Sequence, residues 1–407
     1  MTSTQFSPPV AGPARAWLGA GLALAAIGWG ANQFAPLIVL YQQRFGLSPA
    51  AAGAVFGLYA LGLIPALLAG GKWSDAAGRR PVVLTALAMS FAATCLLMAG
   101  GTQPIGLYAG RLLAGVASGL AFGTGAAWLK ELSAGAGDAA AGPRRTTVSM
   151  TVGFAAGPFV AGLCAQWLPA PATTAYGPHL LLLLAAAIAV RRTPDPGGPA
   201  ATRTRPAGNS GVAVPFMVVL LPFAPWVFGT AAIALAYLPA LVADQVSEHA
   251  LLFSAVATAT TALTGILVQP LAKKIHRTGG SRLLPAAMLA VLTGIGCAAW
   301  AASAMSPAAV LLASAVLGAA YGLTQFAGLV KVQEIAADRA LGTATAAYQV
   351  LSYLGFALPF LISFAQARTH VAPAVLLLVV LGAAVVATAW IAVTAHAPRG
   401  PASARRR

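Results

Sequence analysis

The amino-acid sequence predicts an all-α polytopic membrane protein with twelve transmembrane helices in two six-helix pseudo-repeats, and three observations carry that prediction. Of 407 residues, 59% are hydrophobic and 8% charged, with a mean hydropathy of +0.81, where a soluble protein carries about 25% charged residues. At about 20 apolar residues per crossing, that supply makes about twelve crossings and leaves nothing for a water-soluble module. With the amino terminus inside, every basic residue except Arg44, Arg368 and Arg111 falls in inside loops and tails, the pattern that orients a polytopic chain. Finally, the stretch 193–212, rich in Pro, Gly, Thr and Arg, cannot cross and divides the chain near its midpoint.

Apolar runs bounded by charge, Pro and Gly place helices at 16–40, 50–70, 81–100, 104–130, 147–168, 178–190, 213–241, 250–271, 283–303, 306–333, 340–365 and 372–395. The run after Arg15 has the look of a signal peptide but is read as a retained first helix, because further spans follow at once. The expected organisation is an N-terminal bundle over 1–192, an inside linker over 193–212, and a C-terminal bundle with a basic tail over 213–407. An internal repeat supports two like halves. At an offset of 203, Gly115, Gly119, Leu120, Gly125 and Glu131 fall on Gly318, Gly322, Leu323, Gly328 and Glu334; at 202, Gly153-Phe154-Ala155 falls on Gly355-Phe356-Ala357. Parallel duplication of a six-helix unit is a feature of secondary transporters.

Other functions are excluded by what the residues lack. The net charge of +16 is spread over loops rather than gathered in a patch, so nucleic acid is not an expected partner. Cys95, Cys164 and Cys297 sit singly in apolar runs, which indicates neither a disulfide framework nor a metal site. No Gly-Lys-Ser/Thr string exists for a nucleotide phosphate. An intramembrane enzyme needs paired acids, an H-E-x-x-H, or a Ser with a His in the bilayer; none is present, and no cofactor is called for. A transport-like fold kept as a sensor is the remaining class, disfavoured and not excluded, because this sequence shows no appended signalling domain.

Three strings carry chemistry. Gly70-Gly71-Lys72-Trp73-Ser74-Asp75-Ala76-Ala77-Gly78-Arg79-Arg80-Pro81, between the second and third helices, reads as a tight inside turn, with Gly78 free to take positive φ and Asp75 placed for a helix amino terminus or the arginines. Leu107 to Gly119 sets Arg111 before glycines at four and eight residues. Gly153 to Gly162 (GFAAGPFVAG) offers a small-residue stripe, Gly153 and Gly157, for close helix packing and Pro158 for a kink. Together they resemble the signature loop, fourth-helix and fifth-helix motifs of the major facilitator superfamily, the last resembling that of its twelve-helix drug/proton antiporter group, with Ala161 in place of one closing glycine. A decayed copy of the first string, Ala272 to Gly279, puts His276 where Asp75 stands, and His276 is read as a solvated loop residue.

The resemblance implies alternating access by two bundles rocking around a cavity lined by the first, fourth, seventh and tenth helices. It implies an inside gate of Gly71, Asp75, Gly78, Arg79 and Arg80 with Glu131 as partner, and coupling through Arg111, Gly153, Gly157, Pro158 and Gly162. From their polarity and position, Asn32, Gln33, Arg111, Trp226, Tyr321, Gln325, Gln349 and Tyr353 are candidates to line an amphipathic cavity. The acids Asp75, Glu131, Asp138, Asp195, Glu334, Asp338, Asp244 and Glu248 all fall near helix ends, as do His179, His249, His276, His370 and His396. Proton exchange needs a group that titrates in the membrane, so its carrier is sought among Asp75, Asp244 and Glu248. The expected function is proton-coupled efflux of a small amphipathic compound, with uptake or facilitated diffusion of a metabolite as the alternative. The predominance of Arg over Lys and the abundance of Ala and Gly suggest a GC-rich bacterial genome and hence the cell membrane, with both termini cytoplasmic and a functional monomer in the lipid bilayer.

Overall fold

The computed structural model describes residues 16–101, 103–134, 141–195, 216–335 and 341–396, and among these it is helical, with no strand. Asp138, Asp338, the linker beyond Asp195 and the basic tail lie outside the described residues. Twelve stretches are long and apolar enough to cross a bilayer: Leu18–Phe45, Pro49–Ala77, Arg79–Ala99, Ile105–Leu132, Ala141–Trp167, Pro171–Arg192, Val218–Leu241, Ala243–Thr278, Leu283–Ala304, Pro307–Ile335, Ala344–Thr369 and Pro373–Thr394. They are the first to twelfth spans below. In the best apolar window of each, burial is highest in the first (78%), fourth (67%), seventh (67%) and tenth (56%) and lowest in the twelfth (17%). The twelfth therefore turns most of its apolar surface outward, as a helix bathed in lipid does.

Several spans outrun the apolar runs that announced them. The second continues to Ala77 and the third begins at Arg79, so the expected loop shrinks to Gly78 alone, at φ +92°. A helix satisfies its own backbone whether its side chains are apolar or polar, so nothing obliges it to stop where the hydrocarbon does. The decayed copy is likewise helical, Gln269–Thr278, and exposed His276 meets the edge of the Phe326 ring at 6.3 Å. The first span is broken into Leu18–Asn32 and Leu37–Phe45, and Pro36, which has no N–H to give the Asn32 carbonyl, stands at the break.

Contacts divide the described residues into two units, one from Met1–Phe34 and Leu58–Arg203, the other from Ala35–Gly57 and Thr204–Arg407. The segment 35–57, which the sequence reading kept with the first half, thus groups with the second: Val39 packs with Ala243 and Ala250, and the Phe56 ring lies 5.3 Å from that of Phe356. In the first unit the fifth span presses on the first, where a Cβ on Gly153 would strike the Ala25 carbonyl and one on Gly157 would stand 2.7 Å from that of Trp29. The fourth presses on the second in the same way, Gly115 on the Tyr59 carbonyl and Gly119 on that of Leu63.

The second unit repeats both contacts at the offsets seen in the sequence. Gly318 and Gly322 of the tenth span meet the carbonyls of Thr261 and Gly265 of the eighth, and Gly355 of the eleventh meets the Pro225 carbonyl of the seventh. Two of these four helices are irregular: the seventh widens to π-helical turns over Ile233–Tyr237, which end two residues ahead of Pro239, and the eleventh tightens to a 3₁₀ turn over Leu354–Ala357, ahead of Pro359. Since the obstacles are backbone atoms that cannot swing aside, Gly153→Ala and Gly355→Ala are each expected to destabilise by about 1–3 kcal/mol, read as a fall in the melting temperature of detergent-purified protein. Gly296→Ala, whose Cβ would meet nothing within 4 Å, is the control expected to melt as the parent does.

Candidate functional site

One cluster gathers around Arg79 at the junction of the second and third spans. Its guanidinium is 7% exposed and binds the Asp75 carboxylate through Nη1 at 2.8 Å and the Glu131 carboxylate through Nη2 at 3.0 Å; Nη1 also reaches the Ser74 hydroxyl. The one-residue turn at Gly78 makes this possible, because it lets the third span start where its first side chain folds back over the last turn of the second. Asp75 is 48% exposed and Glu131 29%, so the fourth span's carboxylate is the drier partner and the stronger one. Gly71 is exposed, and a Cβ there would meet nothing within 4 Å.

The helix amino terminus that Asp75 was placed to serve is taken by Asp195 instead. Its carboxylate accepts the backbone N–H of Arg79 at 3.4 Å and of Arg80 at 3.0 Å, where the free donors and the dipole of the third span favour an anion. Arg80 Nη2 donates to the Thr193 carbonyl at 2.6 Å, and Trp128 Nε1 to that of Pro194 at 3.0 Å. The start of the expected linker is therefore bound to the third and fourth spans. Distance in sequence hid this: nothing local marks Asp195 as the cap of a helix that begins more than a hundred residues earlier.

Arg111 is fully buried in the fourth span. Its Nη1 donates to the Ala31 carbonyl at 2.9 Å, and its guanidinium carbon lies 4.6 Å from the centre of the Tyr59 ring and 5.1 Å from that of Phe34. Ala31 lies in the last turn before the break in the first span, where helix carbonyls lack intrahelical donors and carry negative partial charge. The charge is thus met by a helix end and two aromatic faces. Gln33, also fully buried, turns to His179 of the sixth span, with Nε2 at 2.9 Å from Nδ1; Asn32 beside it is half-buried. Pro158 and Gly162 are buried in the fifth span.

In the second unit, Gln325 donates to Gln349 at 3.4 Å, and Tyr321 and Tyr353 flank Phe228, the latter stacked at 4.4 Å with an interplanar angle of 8°. Phe356 extends the stack, 5.1 Å from Phe228. Trp226 is buried on the seventh span, its carbonyl bonded by the Thr230 hydroxyl at 3.0 Å. Phe228 and Phe356 were not singled out in the sequence, where an aromatic in an apolar run carries no signal of its own. Asp244 and Glu248 are exposed, near the start of the eighth span. Glu334, the repeat partner of Glu131, pairs with Lys331 at 2.9 Å on the surface.

A family model described as the Major Facilitator Superfamily matches residues 18–360. Among solved structures, a mutant of the nucleoside transporter NupG superposes with a TM-score of 0.70 at 14% identity, covering 93% of this chain and 99% of that one. The POT family transporter PepTSo gives 0.75 at 14%, covering 94% and 98%, and a POT family transporter in complex with 5-aminolevulinic acid gives 0.69 at 12%, covering 92% and 96%. No curated protein matches the chain in sequence.

The two carboxylates on Arg79 are separable by stability. Asp75→Asn removes a half-exposed pair and is expected to cost below about 1 kcal/mol, whereas Glu131→Gln strips the drier partner from a buried cation and should cost about 1–3 kcal/mol. Thermal unfolding in lipid nanodiscs reads the difference, and equal losses would show that Glu131 does not hold the guanidinium.

Proposed function

Because the chain belongs to the major facilitator superfamily, we propose that it is a secondary transporter that exports a small amphipathic compound across the cell membrane in exchange for protons, by alternating access. The observation that carries this reading is the GFAAGPFVAG string on the fifth span, whose Gly153 and Gly157 lie against the backbone of the first. That string resembles the motif of exchanging exporters, and its contact bears on the span that also holds Asn32, Gln33 and the Ala31 carbonyl of Arg111. In this reading both termini are cytoplasmic, the monomer is the working unit, and Asp75, Arg79 and Glu131 form a latch on the inside that opens and closes with each cycle.

To the substrate we assign Gln325, Gln349, Tyr321, Tyr353 and Trp226 in the second unit and, separately, Asn32, Gln33 and Arg111 in the first. Aromatic faces and amide groups suit a molecule with a flat apolar part and a few polar atoms. Uptake or facilitated diffusion is the second reading. It is favoured by one observation: all the acids of the described residues lie near the ends of spans, which leaves no carboxylate at mid-membrane to carry a proton.

Cells expressing the chain are expected to accumulate less of some member of a panel of fluorescent and antibiotic compounds, with a protonophore restoring the level. Higher accumulation, or efflux indifferent to the protonophore, would replace export by the second reading. With a transported compound in hand, Asp75→Asn should slow transport while leaving membrane insertion intact, and Arg111→Ala should abolish it. Full activity in Arg111→Ala would reduce that residue to a packing role.

A further inference from the structure

His179 is the only histidine fully buried among the described residues, and it is closed in by polar groups from two other spans, the first and the third. Its Nε2 lies 3.0 Å from the Ala26 carbonyl. A carbonyl oxygen only accepts, so this nitrogen carries a hydrogen. Nδ1 lies 2.9 Å from Gln33 Nε2 and 2.9 Å from Thr94 Oγ1. An amide nitrogen only donates, so Nδ1 here presents its lone pair and the ring is neutral. The single hydroxyl hydrogen of Thr94 has a second acceptor, the Ser90 carbonyl at 2.9 Å.

This cage also contains what the protonated ring requires. When Nδ1 bears a hydrogen, Thr94 Oγ1 can accept it while giving its own hydrogen to Ser90. The Gln33 amide, turned half a revolution about its last bond, offers Oε1 in place of the amino group. That oxygen is buried and makes no hydrogen bond in this structure. A network built only to fix a neutral ring has no use for a buried carbonyl oxygen left unbonded beside it, since such a group costs stability. Two settings of one amide, one matching the neutral ring and one matching the cation, account for it.

We propose that His179 is a reversible proton-binding site: Nδ1 takes a proton from hydronium, releasing water, and Gln33 rotates so that Oε1 receives the new N–H; release reverses both steps. Its role in transport rests on the exchange reading above, which otherwise has no buried carrier. The surrounding charges set its direction. The titratable groups on the spans packed around it are Tyr41 and Arg44 of the first, Arg79, Arg80 and Cys95 of the third, Tyr108, Arg111, Lys130 and Glu131 of the fourth, Arg144, Arg145 and Cys164 of the fifth, and Tyr176, Arg191 and Arg192 of its own. The one acid, Glu131, is held by Arg79 at the junction of the second and third spans. Arg111 lies nearest along the shared partner, bonded to Ala31, two residues before Gln33. Protonation thus adds a second cation at this end of the first span with no carboxylate to offset it.

The test follows the imidazoles themselves in full-length protein in lipid nanodiscs, with histidine labelled in carbon-13 and nitrogen-15. The His179 signals are assigned by their loss in His179→Gln, or, should that variant not fold, by their displacement in Thr94→Val. The expected result is an Nε2–H tautomer at high pH that becomes doubly protonated within pH 4–9. Because a hydrogen bond to a charged group is about twice as strong as a neutral one, Gln33→Leu should lower that midpoint by about one pH unit, a tenfold weaker hold on the proton. A ring that stays neutral throughout, or a midpoint that Gln33→Leu leaves in place, overturns the proposal even where efflux is sensitive to the protonophore. Conversely, a ring that titrates and shifts as stated in a protein whose transport ignores the protonophore leaves the site standing and removes the exchange reading.

Discussion

Helices in lipid gain nothing by hiding apolar side chains from one another, because the surrounding tails are as apolar as leucine. What holds them is close approach, and in this chain it occurs where a glycine of one span meets the backbone of another: Gly153 and Gly157 on the first span, Gly115 and Gly119 on the second, Gly318 and Gly322 on the eighth, Gly355 on the seventh. Everything else in each unit is set from these contacts. The distance between the first and fifth spans fixes where the Ala31 carbonyl stands, and so where a guanidinium from the fourth can find it. The same first span brings Ala26 and Gln33 to the sixth. A shift of an ångström at the glycines would leave the buried charges without their partners.

The charged groups are few, and the chain handles each in one of two ways. At Arg79 the charge is met by opposite charge at the edge of the helices, where water softens both the cost of burial and the strength of the pair. At Arg111, fully buried, it is met by a helix end and by ring faces, which are neutral as a whole and therefore less costly to bury beside it than a bare carboxylate. The first arrangement can be broken and remade with modest energy. The second is built into the fold and has no cheap alternative state.

The sequence made the fold legible because lipid imposes a strong and simple pattern. Runs of apolar residues, arginine concentrated in every second loop and glycines recurring at one offset all reflect that one solvent. The contacts around Arg79 were legible too, because Asp75, Gly78 and Arg79 act on each other across a few residues. What stayed hidden depends on distant partners. Asp195 looked like a linker acid because its helix terminus lies far back in the chain, and His179 looked like a residue at a span end because a run of leucines after it gives no hint of Ala26, Gln33 and Thr94 around it. The segment 35–57 was assigned by its place in sequence, while its neighbours, Ala243, Ala250 and Phe356, were set by the packing of the other half.

The hold of Thr193, Pro194 and Asp195 on the third and fourth spans bears on how the two halves of such a gene can be separated or joined. The first half carries its own closing piece: the three residues after its last span tie off the amino end of its third. A boundary drawn at the end of the sixth span, where hydropathy would draw it, cuts away that tie and leaves two backbone donors and two side-chain donors without their acceptors. Drawn beyond Asp195, it leaves the fastening with the half that uses it. For shuffling, splitting or fusing modules of this kind, the unit of inheritance is thus six helices and the short tail that locks them.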